Sequence, residues 1–186
     1  MKIRNMFLPA VCLILGAAWM TSCKKDHNDT MTATPTLYDS LGGTAMVSDP
    51  ANPSMKIEQG RLGIRSVVDS TIFVIAADTN INGYFKVLLS EVTSGNTSGF
   101  QALEKNLTDF FCVATGARNF TYSGKNMHDA HDPATNPRMN GKAASDDFDS
   151  FLVDLVAGAK KNGLPDNLIG RVGALVETLR SQVVQR

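Results

Sequence analysis

Apolar residues recur every three or four positions along four stretches of this 186-residue chain, and this spacing predicts helices. Two of the stretches, Phe100–Ala114 and Phe148–Ala159, place their apolar residues on one helical face. A third, Gln59–Ala77, contains many β-branched residues that also suit a strand, but its spacing favours a helix. The fourth follows Pro165, a residue typical of a first helical turn, and continues to Val183. Together these helices predict an all-α fold class with no convincing strand pair.

Capping and turn residues set the limits of the other predicted elements. Ser145 is expected to cap the helix that follows it, because serine is a favoured N-cap and two aspartates come next. A short helix ended by two glycines is expected at Thr36–Gly43, and another short helix at Lys125–His131. Prolines predict loops at Ser48–Ser54 and Asp132–Gly141.

The first residues have the pattern of a bacterial export signal. Two basic residues precede the apolar run Met6–Trp19, which is too short for a membrane span and is followed directly by polar residues. The run closes with Met-Thr-Ser-Cys, which resembles a lipobox, where the peptide is cut before Cys23 and the cysteine carries lipid. We therefore expect a signal peptide at residues 1–22, a flexible tether at 23–35 and a folded domain at 36–186. The expected location is a membrane surface of the cell envelope, and an ordinary secretory signal is the alternative.

Composition narrows the function classes. The chain has 18 basic and 18 acidic residues, so it lacks the positive charge typical of a protein that binds nucleic acid. If Cys12 leaves with the signal and Cys23 is lipidated, Cys112 is the one thiol of the folded domain, which excludes an intramolecular disulfide. The apolar neighbours of Cys112 indicate a buried structural cysteine.

The segment Tyr122–His131 concentrates most of the site chemistry visible in the sequence. It holds two of the three histidines, His128 and His131, three positions apart on a short predicted helix. Two histidines at this spacing can share a metal ion, so a zinc site is one interpretation. That interpretation lacks a third histidine or a remote cysteine to complete the ligand set. The other interpretation uses one histidine and depends on the order of motifs along the chain.

Four motifs occur in an order that resembles the group I truncated haemoglobins. Leu37–Gly43 is similar to the opening Leu-Tyr and Gly-Gly motif of that family. Val67–Phe85 resembles its second helix and the phenylalanine that follows, and Gly116 resembles part of its double-glycine turn. The most specific motif is Tyr122–His131, which reads Tyr-x-Gly-Lys-x-Met-x-x-Ala-His. The resemblance spans most of residues 36–184 and implies a truncated globin-like helical sandwich, two helices over two. It leaves insertions around 47–66, 86–99 and 132–144.

The resemblance implies that the domain binds a b-type haem with His131 as the proximal iron ligand. Such a ligand needs a neutral imidazole with one nitrogen free for the iron, while the other donates a hydrogen bond that fixes the tautomer. Met127 would then pack on the porphyrin and Lys125 would reach a propionate, whereas His128 would be solvated. The remaining apolar walls are implied to be Phe85, Phe111, Phe148 and Phe151. Ordinary core packing is the alternative explanation for Met127 and for each of these phenylalanines.

The chain departs from the family on the distal side of the implied haem. Many group I members carry a tyrosine on the second helix that hydrogen-bonds dioxygen, often with a polar partner on the distal helix. The matching positions here are Ile72, Leu103 and Leu107, and none of the three can donate a hydrogen bond. A dioxygen ligand would lose a contact of about 0.5–1.5 kcal/mol, so we expect a lower dioxygen affinity than in tyrosine-bearing relatives. A one-residue shift in register would instead bring in Thr71 or Thr108, and Asn106 or Lys105 could turn inward.

Three functions are compatible with this sequence. The first is a haem protein on a cell-envelope surface that binds dioxygen or other diatomic gases. The second is an enzyme that turns over nitric oxide or peroxide, which would need an external electron donor because the chain has no flavin or nicotinamide motif. The third is a haem-free, globin-like structural or interaction lipoprotein. The Tyr122–His131 segment argues against the third, and the apolar distal positions offer no general acid or base for peroxide chemistry.

Overall fold

The computed structural model describes residues 34–186, which form eight α-helices, a short 3-10 turn at Asn82–Phe85 and one strand pair. The predicted signal peptide, most of the predicted tether and the predicted lipidation of Cys23 lie outside the described residues. The helices are Leu37–Ser40 (α1), Gln59–Ala77 (α2), Lys86–Thr93 (α3), Ser98–Ala114 (α4), Met127–His131 (α5), Ser145–Lys161 (α6), Asp166–Glu177 (α7) and Arg180–Val183 (α8). The strands are Met46–Asp49 (β1) and Asn52–Glu58 (β2).

Two helix pairs make up the body of the domain. α2 packs against both α4 and α6, and α6 packs in turn against α7. The pair α2 and α4 therefore lies on the pair α6 and α7, as expected of a helical globin-like sandwich. Helices pair in this way because each buries one apolar stripe against a neighbour.

The sequence predicted the bounds of α2 correctly. Its buried apolar residues are Ile64, Val68, Ile72 and Ile75, at three- and four-residue intervals. Residues with this spacing lie on one face only when the segment is helical. Burial of that face therefore outweighs the preference of the β-branched residues for a strand. On the neighbouring α4, Cys112 is fully buried, and burial raises the pKa of its thiol to about 11. The prediction of a buried structural cysteine is confirmed.

The crossing of α2 and α6 depends on a glycine. A Cβ added at Gly158 of α6 would lie 2.8 Å from the backbone nitrogen of Thr71 and 2.9 Å from its Cα. The Thr71 hydroxyl turns back along α2 and donates a hydrogen bond to the carbonyl of Val67 at 2.8 Å. The backbones of α2 and α6 can therefore approach closely at this point. This contact sets the distance between the two helices.

A β-hairpin occupies the stretch where the sequence predicted a loop, so the predictions of a loop at Ser48–Ser54 and of no strand pair are wrong. β1 and β2 pair antiparallel, with Val47 opposite Ile57. The prolines gave the misleading signal. Pro53 lies in a two-stranded sheet, where both strands are edges and proline is tolerated. At the turn, Asp49 accepts a hydrogen bond from the Ala51 nitrogen at 2.9 Å.

Several predicted helix ends are displaced by one or a few residues. The helix at Ser145 is capped by Ala144, whose backbone nitrogen donates to the Asp147 carboxylate at 2.7 Å, so the N-cap prediction is wrong by one residue. The short helix predicted from Lys125 begins at Met127. The last predicted helix is interrupted after Glu177 and resumes as α8. The glycine turn after α1 is as predicted, with positive φ angles at both glycines.

Within residues 34–186, no single helix has the length and apolar composition of a membrane span. The helical segments Gln59–Ala77 and Asn82–Thr93 meet those criteria only as a pair, and the chain bends by 104° between them.

Candidate functional site

The turn before α5 is built by Tyr122 folding back on its own segment. The Tyr122 hydroxyl donates to the Lys125 carbonyl, and its ring packs edge-on against Phe110 of α4 with centroids 5.5 Å apart. A Cβ at Gly124 would lie 2.6 Å from two atoms of that ring, so the Tyr-x-Gly pattern requires glycine here. Asn126 then caps α5 by accepting a hydrogen bond from the Asp129 nitrogen at 2.8 Å. These contacts fix where the helix that carries His131 begins.

His131 has the protonation state that a metal ligand needs. Its Nδ1 lies 2.8 Å from the Met127 carbonyl oxygen, and because a carbonyl only accepts, Nδ1 must carry the hydrogen. Burial lowers the pKa of His131, and the hydrogen bond to Met127 offsets this only in part. The imidazole is therefore neutral at pH 7, with Nε2 left as a free electron-pair donor.

An apolar cavity of about 220 Å³ brings together nine of the ten residues that the sequence proposed for a cofactor. The nine are Ile72, Phe85, Leu103, Leu107, Phe111, Met127, His131, Phe148 and Phe151. Lys125, the tenth, is exposed and does not line the cavity. The walls come from helices far apart in sequence, so the fold has assembled one site from separate apolar stripes.

The three positions that the resemblance assigns to the distal side contribute only apolar side chains to this cavity. Ile72 on α2 and Leu103 and Leu107 on α4 line it, and the polar residues that a shifted register would bring in do not. The Thr71 hydroxyl is engaged with a backbone carbonyl, and Lys105 pairs with Asp109 at 2.6 Å. Thr108 and Asn106 likewise do not line the cavity.

A polar cluster that the sequence did not indicate forms another part of the wall. Tyr84 donates a hydrogen bond to the Asp147 carboxylate at 2.7 Å, and Arg186 donates to the same oxygen at 3.0 Å. Burial alone would raise the pKa of Asp147, but hydrogen bonds from Tyr84, Ala144 and Arg186 outweigh it and hold the pKa below its usual value. The carboxylate is therefore ionised and paired. The three side chains come from distant parts of the chain, so no local pattern could have predicted them.

The structure gives His128 no role in the cavity. Its side chain is 57% exposed, and its Nδ1 lies 3.4 Å from a carboxylate oxygen of Asp129. In the described part of the chain, no group of three or more His, Cys, Asp or Glu side chains is arranged to hold a metal ion. A zinc site at His128 and His131 would therefore lack further protein ligands among these residues.

A second apolar cavity of about 520 Å³ lies among α2, α6 and α7. Phe111 borders both cavities, and Asn162 is among the few polar residues of the second one. Phe111 is also the one member of the proposed cofactor set that reaches this cavity. The remaining members, except Lys125, line the smaller cavity alone.

The imidazole donor and the apolar side chains that line the cavity suit a haem group. One neutral imidazole with a free nitrogen stands among apolar and aromatic side chains, which is the environment that globins give to haem iron. The fold and this cavity are those of a globin-like helical protein.

Comparisons with known proteins point to the same class. A group 1 truncated haemoglobin from Tetrahymena thermophila is 27% identical over 146 residues, which cover 78% of this chain and 92% of the relative. No protein-family model matches the chain. In sequence, the chain is therefore similar to a truncated haemoglobin.

Solved structures show the fold. The truncated haemoglobin of Tetrahymena pyriformis in its Fe(III) form superposes with a TM-score of 0.58 at 22% identity, covering 82% of this chain and all of that one. The 2/2 haemoglobin of a Synechococcus species, in the cyanomet state with covalently attached haem, gives a TM-score of 0.53 at 19% identity and covers 80% of this chain and 95% of that one.

Proposed function

We propose that this protein is a group I truncated haemoglobin that binds one b-type haem through His131 and uses it to bind dioxygen or other diatomic gases. The observation that carries the proposal is the His131 ring, a neutral imidazole whose Nδ1 is occupied and whose Nε2 is free in an apolar cavity. The iron, when bound, supplies an open coordination position for a gas. The chain supplies the ligand nitrogen, the apolar walls and the exclusion of water.

Attachment to the cell envelope is a separate part of the proposal. The Met-Thr-Ser-Cys pattern supports cleavage before Cys23 and lipidation of that residue. A multiply acylated cysteine holds a protein on a membrane because each buried methylene contributes about 0.8 kcal/mol. Mass spectrometry of the N-terminal peptide from membrane fractions checks it, and an N-terminus other than an acylated Cys23 would contradict it.

Haem titration tests the proposed function directly. We expect the purified protein to take up one equivalent of haem, with an intense Soret band that stops growing at a 1:1 ratio. The free Nε2 of His131 is the reason, because it provides the protein ligand for the iron. The proposal would be contradicted if the absorbance at every haem-to-protein ratio equalled that of the same concentration of free haem.

The apolar distal wall predicts a weakly hydrogen-bonded gas ligand. Ile72, Leu103 and Leu107 line the cavity without a donor, so a ligand there forgoes a contact of about 0.5–1.5 kcal/mol. Resonance Raman spectra of the ferrous carbon monoxide adduct should show the iron–carbon stretch of an apolar pocket. The variant Ile72→Tyr should move that stretch to the value of a hydrogen-bonded ligand and raise dioxygen affinity about tenfold, as a bond of about 1.4 kcal/mol would. A strongly hydrogen-bonded signature in the unmodified protein would refute the distal assignment.

A further inference from the structure

The helix that carries His131 is too short to hold itself in place. α5 has five residues, and isolated helices of this length are unstable in water. The last four carbonyls of any helix also lack partners within the helix. In the five-residue helix α5, these are four of the five backbone carbonyls. Whatever binds them therefore decides where the helix lies.

Three of these four carbonyls accept a hydrogen bond from a side chain. The donors are Gln185 Nε2 to the His128 carbonyl at 2.8 Å, Thr135 Oγ1 to the Asp129 carbonyl at 2.6 Å, and Asn136 Nδ2 to the Ala130 carbonyl at 2.7 Å. The Met127 carbonyl, at the start of the helix, takes Nδ1–H of His131. Thr135 and Asn136 lie in the loop that directly follows α5. Gln185 is the donor that comes from a distant part of the chain.

The segment that carries Gln185 is itself bound to other residues that line the cavity. The Gln185 backbone nitrogen donates to the Ala143 carbonyl at 2.9 Å, and Val184 forms a β-bridge with Ala143. The next residue, Arg186, is hydrogen-bonded to Tyr84 and to Asp147, both of which line the cavity. Gln185 therefore connects α5 to a part of the structure that contacts α6 and the 3-10 turn at Asn82–Phe85.

We propose that Gln185 is a positioning residue for the iron ligand. Its hydrogen bond to the His128 carbonyl fixes the position of α5 and so sets the orientation of the His131 imidazole. This inference rests on the proposed function. Gln185 touches neither the iron nor a gas ligand in this role. It acts through the His128 carbonyl, one residue after the carbonyl that fixes the tautomer of His131. Nothing in the local sequence connects the two sites, which lie more than fifty residues apart.

The test compares two glutamines of the same short segment. Gln185→Glu keeps the size of the side chain but removes its donor, and Gln185→Ala removes the side chain. Gln182→Glu and Gln182→Ala are the matched controls, because Gln182 is exposed and contributes only its backbone carbonyl to this network. The full-length protein reconstituted with haem is used throughout.

In the Gln185 variants we expect the iron–histidine stretch of the ferrous protein, measured by resonance Raman, to broaden and move to lower frequency. The reason is that α5, without its hydrogen bond from Gln185, is distorted. This distortion lengthens the hydrogen bond from Nδ1 of His131 to the Met127 carbonyl, which reduces electron donation to the iron. Haem transfer to excess apomyoglobin should be about tenfold faster, the lower end of the effect of losing an outer partner of a metal ligand. The Gln182 variants should match the unmodified protein in both measurements.

The outcomes separate this inference from the proposed function. An unmodified protein that takes up no haem overturns both. Haem uptake with an iron–histidine stretch that is the same in the Gln185 variants overturns the positioning role alone, even if those variants unfold at lower temperature. A shift of equal size in the Gln182 variants also overturns it, because the effect would then belong to the segment and not to the donor.

Discussion

His131→Ala should abolish specific haem binding, lowering affinity by at least about 100-fold, which exceeds the effect expected for an outer-shell partner. The substitution removes the free Nε2 that the neutral imidazole presents in the cavity. It leaves the apolar walls in place, so any remaining uptake would reflect weak partition of haem into an apolar space. The measurement is the Soret band during haem titration, together with the rate of haem transfer to apomyoglobin.

His128→Ala is the matched control for that experiment. His128 lies on the same five-residue helix, but its side chain is mostly exposed and does not line the cavity. Its removal should leave the Soret band and the transfer rate essentially unchanged. Equal losses in the two variants, or a loss confined to His128→Ala, would show that the ligand has been assigned to the wrong residue.

Gly158→Ala should destabilise the protein by about 2–3 kcal/mol, the upper part of the range for overpacking a well-packed core. The new methyl group would meet the Thr71 hydroxyl, and also the backbone nitrogen and Cα of Thr71 at 2.8 and 2.9 Å, so α2 and α6 must move apart. Because α2 carries Ile72 and α6 carries Phe148, this movement also widens the cavity. Urea unfolding of the haem-free protein measures the stability, and haem titration of the variant should show weaker binding.

Gly170→Ala provides a comparison with the opposite expected sign. Gly170 lies in α7, and a Cβ there has no atom within 4 Å. Replacing a glycine inside a helix with alanine at an open position stabilises by about 0.5–1 kcal/mol. The double variant Gly158→Ala with Thr71→Ala should recover only part of the lost stability, because it removes the Thr71 hydroxyl but leaves the conflict with the Thr71 backbone. Full recovery in that double variant would contradict the close backbone contact.

The main helices were predictable because the apolar residues of each one recur every three or four positions. The bounds of α2 followed from the spacing of its buried isoleucines and valines, and the glycine turn after α1 followed from two adjacent glycines. The hairpin at Met46–Glu58 was missed because its prolines give a strong loop signal. A two-stranded sheet tolerates proline on its edges, which is a property of the assembled sheet and not of the local sequence.

The candidate site was predictable only where one motif covers it. The Tyr122–His131 pattern indicated His131, the proposed ligand. The resemblance indicated Ile72, Leu103 and Leu107, which line the same cavity as His131. The contacts that support this site depend on long-range packing. Gln185 donates a hydrogen bond to the His128 carbonyl, and Arg186 donates one to Asp147. Both bonds join residues that are distant in sequence, so a periodic pattern of apolar residues does not indicate them.

The measurement that tests the central claim most directly is a crystal structure of the haem-reconstituted protein with anomalous diffraction at the iron edge. The proposal predicts one iron peak per chain at coordination-bond distance from Nε2 of His131, with Nδ1 still hydrogen-bonded to the Met127 carbonyl and Ile72, Leu103 and Leu107 on the opposite side of the porphyrin. An iron peak ligated by His128, or a porphyrin bound outside this cavity, would contradict it.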